Sequence, residues 1–279
     1  MESVLKEIMR IFACEMMTTQ DYIRMADAAL MATEEVGWAE ETFLTITGTK
    51  TITKTETETG AKTGTGARRE TMLDTSRTGT ETDVEWHPLI PFLPRETRVL
   101  FLGSFPPQRK RWCMDFFYPN FTNDHWRIEG LAFYGDAQYF VDAERKTFRL
   151  NAIVEHLKRH GIGFFDTALA VRRLADNASD KFLEVVVPTD IRAMVARLPQ
   201  LKAIVTTGEK ATETIAMALG MTDERGKALL PKVESALPSP IEGIDLYRLP
   251  SSSRAYPMTL TKKTEAYKRM FERYGLVGE

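Results

Sequence analysis

The sequence predicts an α/β fold: a three-layer α/β/α sandwich built on a central, mostly parallel, four-stranded sheet. Two features of residues 84–279 predict it, namely short apolar runs closed by glycine or a turn, and longer stretches with helical apolar spacing that alternate with them. A run that is apolar at nearly every position suits a strand buried on both faces, and strands separated by helices pair in parallel. Right-handed crossovers then restrict how such a sheet can be wound.

The first strand is residues 98–103 (R-V-L-F-L-G), a near-continuous apolar run ended by glycine. Ile153, Val154 and Leu157 share one face of a helix over 151–160, which Gly161 ends, and 162–165 is the second strand. After Pro188, Ile191, Met194, Val195 and Leu198 fall at helical spacing in 189–198, and 201–206 (L-K-A-I-V-T) is the third strand. A helix over 208–219, a fourth strand over 244–249 and a closing helix over 261–274 complete the series. Ligands of such sheets sit beyond the carboxyl ends of the strands, so the informative segments follow Leu102, Phe165, Thr206 and Leu249.

Upstream the texture differs. Val4, Leu5, Ile8, Met9 and Phe12, and then Tyr22, Met25, Ala29 and Leu30, give residues 1–41 the pattern of a helical extension. Residues 42–83 carry threonine at nearly every second position from Thr45 to Thr59 but keep no face apolar, which reads as a disordered linker. The domain proper is then 84–279. Over the 279 residues, 43% hydrophobic, 10% aromatic and 27% charged residues exclude collagen-like, wholly disordered and multi-span membrane classes. Cys14 and Cys113 are too few for a disulfide framework, a four-thiolate zinc site or an iron–sulfur cluster, and a reducing, cytoplasmic setting is expected. The net charge of −2 divides unevenly: 9 basic against 15 acidic residues in 1–83 leave a balance of +4 for the remainder, compatible with a polyanionic partner.

At the strand ends stand the candidate functional residues. Gly103-Ser104-Phe105-Pro106-Pro107 is a stiff loop able to present main-chain groups, followed by the basic Arg109, Lys110 and Arg111. The loop from Phe116 to Trp126 interleaves aromatic, amide and acid groups, a composition suited to stacking on a base and reading its edge. Within it Phe116 and Trp126 read as core, whereas Tyr118, Asn123 and His125 carry polar groups that packing alone does not explain. Asp166 follows the second strand, where capping a helix is the ordinary role and orienting a catalytic group the functional one. Glu209 and Lys210 open a helix whose free N–H groups suit a phosphate, although the P-loop pattern is missing. Ser251, Ser252, Ser253 and Arg254 follow the fourth strand as a phosphate-gripping loop.

These segments, in this order, resemble the uracil-DNA glycosylase superfamily over nearly all of residues 86–279, and most of all its hypoxanthine-DNA glycosylase branch. The G-S-F-P string after the first strand, the Asn-x-aromatic-Trp pattern matched by Asn123 to Trp126, and the L-P-S-x-S string from Leu249 carry the resemblance. It departs at Phe105, where better-known branches have an Asp or Asn, at Leu249 in place of a histidine, and at His125 in place of phenylalanine. The resemblance implies a monofunctional DNA glycosylase of base excision repair that flips out a deaminated base, uracil or hypoxanthine, and hydrolyses its N-glycosidic bond. It assigns catalysis to Asn123, base binding to Ser104, Phe105, Tyr118 and His125, and DNA contacts to Lys210, Ser251, Ser252, Ser253 and Arg254. It implies no metal and no cofactor, DNA with a damaged or mismatched base as partner, no membrane, and a monomer. The alternative is a DNA- or nucleotide-binding module of the same fold with little catalysis. A serine hydrolase is disfavoured because no G-x-S-x-G elbow occurs and no histidine follows His160, and a dinucleotide oxidoreductase because His160-Gly161-Ile162-Gly163 precedes a strand.

Overall fold

A computed structural model describes residues 84–175 and 180–277; the helical extension and linker expected in 1–83 lie outside them. In chain order the elements are β1 (Glu85–Trp86), β2 (Val99–Gly103), α1 (His125–Tyr134), β3 (Val141–Asp142), β4 (Thr147–Phe148), α2 (Leu150–His160) and β5 (Ile162–Asp166). There follow β6 (Ala168–Arg173), β7 (Leu183–Pro188), α3 (Ile191–Val195), β8 (Ala203–Thr207), α4 (Glu209–Leu219), β9 (Ser235–Pro238), β10 (Asp245–Leu249) and α5 (Leu260–Arg273).

The main sheet has the order β5-β2-β8-β10-β9. Its first four strands are parallel, with Leu100 beside Gly163 and Ile204, and Tyr247 beside Val205. They are the four read from the sequence: β2, β5 and β8 are buried along nearly their whole length and so largely apolar, and β10 buries Leu246, Tyr247 and Leu249. The fifth, β9, runs antiparallel on β10 and corrects the expected count of four. It is a four-residue edge strand, S-A-L-P, half-exposed and ended by a proline, which tolerates an edge but lacks a strand's signature.

Helices cover both faces. Phe101 of β2 stacks on Phe164 of β5 at 5.2 Å between centroids and meets His125 of α1 and Tyr267 of α5 at 5.5 and 6.2 Å. Helices α1 and α5 therefore form one layer. The β2-to-β5 and β8-to-β10 connections move in opposite directions across the sheet, so right-handed crossovers put α4, with α3 packed on it, on the other side. The direction reverses between β2 and β8, and a crevice opens beyond the carboxyl ends of those two strands.

The sequence also hid a second sheet, β1-β6-β7, all antiparallel. Only Thr167 separates β5 from β6; its N–H donates to Gly103 O at 2.9 Å, and its own carbonyl accepts from Thr189 N at 3.0 Å. The chain thus leaves one sheet and enters the other within a single residue, and Val171, Arg172 and Arg173 belong to the new strand. Asp166 consequently caps no helix. Helix α1 was concealed too. Seven of its ten residues are buried, which erases the one-sided pattern, and it contains Gly130, where a Cβ would collide with the Asp136 carbonyl.

Candidate active site

The loops after β2, β5, β8 and β10 and the inner edge of the second sheet enclose a cleft of about 1190 Å³. Of the residues assigned roles from the sequence, all except His125 and Arg254 line it.

At its base the Asp166 carboxylate, 7% exposed, receives His87 Nε2 at 2.9 Å. His87 is itself buried, edge-on to Phe105 at 5.3 Å and tilted against Phe165 at 4.4 Å. Phe105 belongs to a small core with Ala168, Val171 and Leu183, so its ring walls the cleft and wedges His87 in place. Asp166 approaches the end of β2 so closely that a Cβ on Gly103 would collide with its Oδ1. A second cleft carboxyl, Asp180, hydrogen-bonds Ser104; burial pushes its pKa up, the Ser104 bond opposes this, and negative Asp166 adds to the rise. The sequence marked Asp166 only by its place after the second strand, and gave Asp180 no role; the partner that holds Asp166, His87, lies 79 positions away.

Tyr118 adopts a left-handed backbone, φ 50°, which turns its ring into the cleft wall. Its hydroxyl shares a 2.7 Å hydrogen bond with Thr207 Oγ1, tying the aromatic loop to the end of β8. Burial holds the phenol protonated well above its ordinary range. One face of the ring is stacked on His125, 3.8 Å between centroids and 4° from parallel. His125 is therefore not a base ligand lining the cleft. It is fully buried behind Tyr118, and that burial pushes its pKa down although Glu129 opposes the shift.

Asn123 faces the cleft just before α1. Its Oδ1 accepts the His125 N–H at 2.9 Å, which fixes the side chain and leaves the amide nitrogen without a partner among the described residues. Behind it, Glu129 is fully buried on the inner face of α1 and takes His156 Nε2 at 3.0 Å, while His156 Nδ1 meets Tyr134 Oη at 3.0 Å. Burial alone would raise the Glu129 pKa, but the two imidazoles hold it at about 2. A folded-state value below the ordinary 4.5 contributes stability above that pH and loses it as the pH falls toward 2. Breaking a buried pair costs about 3–5 kcal/mol. Glu129→Gln is accordingly destabilised by about that much at neutral pH. Urea melts read across acid pH check it: wild type and variant converge as pH falls from 4.5 to 2.

At the rim, Ser251 Oγ accepts from Ser253 N, and Ser253 Oγ from Ala255 N, each at 3.2 Å, so the serine loop is locked by its own side chains. Ser252 is almost fully buried. Lys210 lies at the start of α4 and lines the cleft with the serine loop. Arg254 stands outside the cleft, its Nε 2.8 Å from Asp124 Oδ1. The described residues hold no cluster of histidine, cysteine and acidic side chains fit for a metal ion, and none of their helices is long and apolar enough to cross a membrane.

No protein-family model and no curated protein matches the chain. A solved structure it is similar to, obtained by NMR in solution, is described as a candidate uracil DNA glycosylase from Methanosarcina acetivorans. The similarity has a TM-score of 0.46 and 23% identity over 69% of this chain and 99% of that one.

Proposed function

We propose that the chain is a monofunctional DNA glycosylase acting on uracil or hypoxanthine. The observation that carries this reading is the Asp166 carboxylate at the base of a nucleotide-sized cleft, held by His87. Deamination converts the ring nitrogen of cytosine (N3) or adenine (N1) from a lone-pair acceptor into an N–H donor. A carboxylate accepts from that N–H and repels the lone pair of the undamaged base, so the deaminated form is selected by charge as well as by hydrogen bonding. Tyr118 supplies a ring beside the extruded base, and Lys210 with the serine loop supplies phosphate contacts.

As the N-glycosidic bond lengthens, its electron pair goes to the base and positive charge develops on the sugar. Water adds its oxygen to C1′ and gives up a proton, and the base leaves as an anion that is then protonated. Asn123, with its amide nitrogen free, orients that water. Asp180 takes the proton, a task favoured by the burial that raises its pKa. The reaction needs no metal or organic cofactor. The binding-only alternative leans on the lack of an acid or amide at Phe105, but two carboxyls reach the cleft from other elements, which supports catalysis.

The direct test is alkali-induced strand cleavage of end-labelled oligonucleotides carrying one uracil, hypoxanthine, xanthine or thymine mismatch. Cleavage is expected at uracil or hypoxanthine; DNA binding without release from any of the four would leave only a binding module. In the same assay Asp180→Asn lowers kcat by about 10²-fold and removes the acid limb of the kcat/KM profile, which in wild type rises with pH as Asp180 ionises. An unchanged acid limb would take Asp180 out of the proton transfer.

A further inference from the structure

The junction of α1, α5 and the serine loop holds a charge arrangement that the cleft chemistry does not use. Lys263 of α5 is 1% exposed, and its ammonium donates to Ser253 O at 2.7 Å. Its counter-ion is Asp124, whose Oδ2 lies at 3.6 Å and whose N–H donates to Ser252 O at 3.1 Å. The other oxygen, Oδ1, receives Arg254 Nε at 2.8 Å, and the Arg254 side chain is 54% exposed. Arg127 adds a third cation to the group, its guanidinium donating to the Phe121 and Asn123 carbonyls at 2.9 and 3.0 Å. The one buried carboxylate thus pairs with two cations, Lys263 inside the protein and Arg254 at the surface.

From this we infer that Arg254 is parked on Asp124 in the free protein and exchanges onto a DNA phosphate on binding, and that Lys263 is the positioning residue that makes the exchange possible. A buried carboxylate left unpaired is strongly destabilising, because its desolvation is then uncompensated. With Lys263 present, Asp124 stays neutralised after Arg254 departs; without it, Arg254 is the counter-ion close by and remains pinned. The surplus of one positive charge that Lys263 and Arg254 hold over Asp124 matches the single negative charge of a phosphodiester, and the carbonyl of Ser253 on Lys263 keeps the loop in place during the exchange. Asp124 adjoins Asn123, so the same strap holds the amide in register with the loop. The inference rests on the glycosylase reading only for the identity of the anion.

The experiment measures binding of the full chain to a short labelled duplex containing a reduced abasic site, as a function of salt, and needs no turnover. Arg254→Ala flattens the slope of log affinity against log salt by about 0.9, the signature of one lost phosphate contact. Lys263→Met produces the same flattening and weakens binding by about tenfold, although Arg254 is intact. Adding Asp124→Asn to Lys263→Met frees Arg254 and restores the wild-type slope, which repair of a merely structural defect would not do. A wild-type slope in Lys263→Met, or a flat slope that persists in the double variant, overturns the exchange. Should Lys263→Met not fold, Asp124→Asn alone decides: binding as steep as wild type and several-fold tighter is expected, and weaker binding refutes it. Base release by a wild type whose slope ignores Arg254 sinks the exchange alone, whereas a wild type that binds no DNA sinks the glycosylase reading with it.

Discussion

Asn123→Ala lowers base release by about 10²–10³-fold and leaves DNA affinity within a few-fold of wild type. The magnitude is that of removing one preorganised donor from a transition state, about 2.7–4 kcal/mol. Preorganisation is visible in the geometry: the His125 N–H occupies Oδ1 at 2.9 Å, so the amide cannot rotate and its nitrogen is held toward the cleft. The same bond closes an Asx turn that leads into α1, and its loss costs about 1 kcal/mol of stability. Asn123→Asp separates the two effects. It keeps the acceptor for His125 N–H and puts an acceptor where the donor was, so it folds with wild-type stability and is as inactive as the alanine variant. Single-turnover base release beside thermal melts checks both, and an alanine variant within threefold of wild type would remove Asn123 from the reaction.

The parallel strands and the helices between them were legible because burial on both faces leaves a nearly uninterrupted apolar run, and an amphipathic helix leaves its period. Where neither condition held, the sequence was silent. Helix α1 is buried nearly all round, β9 is a short polar edge, and β6 follows β5 after one residue, so each lacks the contrast that marks an element. The site divides in the same way. Gly103, the serines and Lys210 sit where glycine, hydroxyl and helix-start patterns point, and the structure gathers them round one cleft. His125 was misplaced because it stands two residues from Asn123 at a helix start, where successive side chains diverge by about 100° per residue. That rotation sends the imidazole into the core behind Tyr118. The Asp166–His87 pair joins two strand ends from distant parts of the chain, and Asp180 enters from just before β7; only tertiary structure brings them together.

Asp166→Ala lowers kcat/KM for the deaminated base by about 10–150-fold, the worth of a hydrogen bond to a charged acceptor. It also erases the preference over the undamaged base, since no carboxylate remains to repel the lone pair. Because His87 is left buried without that partner, a loss of about 1–3 kcal/mol of stability accompanies it. A change in rate alone could therefore be blamed on the fold, and Gly103 provides the control. Its Cβ position is blocked by Asp166 Oδ1 alone; the next atoms, Asp166 Cγ at 3.6 Å and Tyr118 Oη at 3.9 Å, are at ordinary contact distance. Gly103→Ala therefore displaces the carboxylate without deleting it, and a misplacement of about 1 Å costs about 10²-fold in rate. In the double variant the obstructing oxygen is gone, the new methyl has room, and the second substitution is silent. The rate of Gly103→Ala/Asp166→Ala then equals that of Asp166→Ala, a coupling of about the whole single-variant effect. Two losses that multiplied instead would show that Gly103 acts on the loop and not through Asp166, and would remove the carboxylate from base selection.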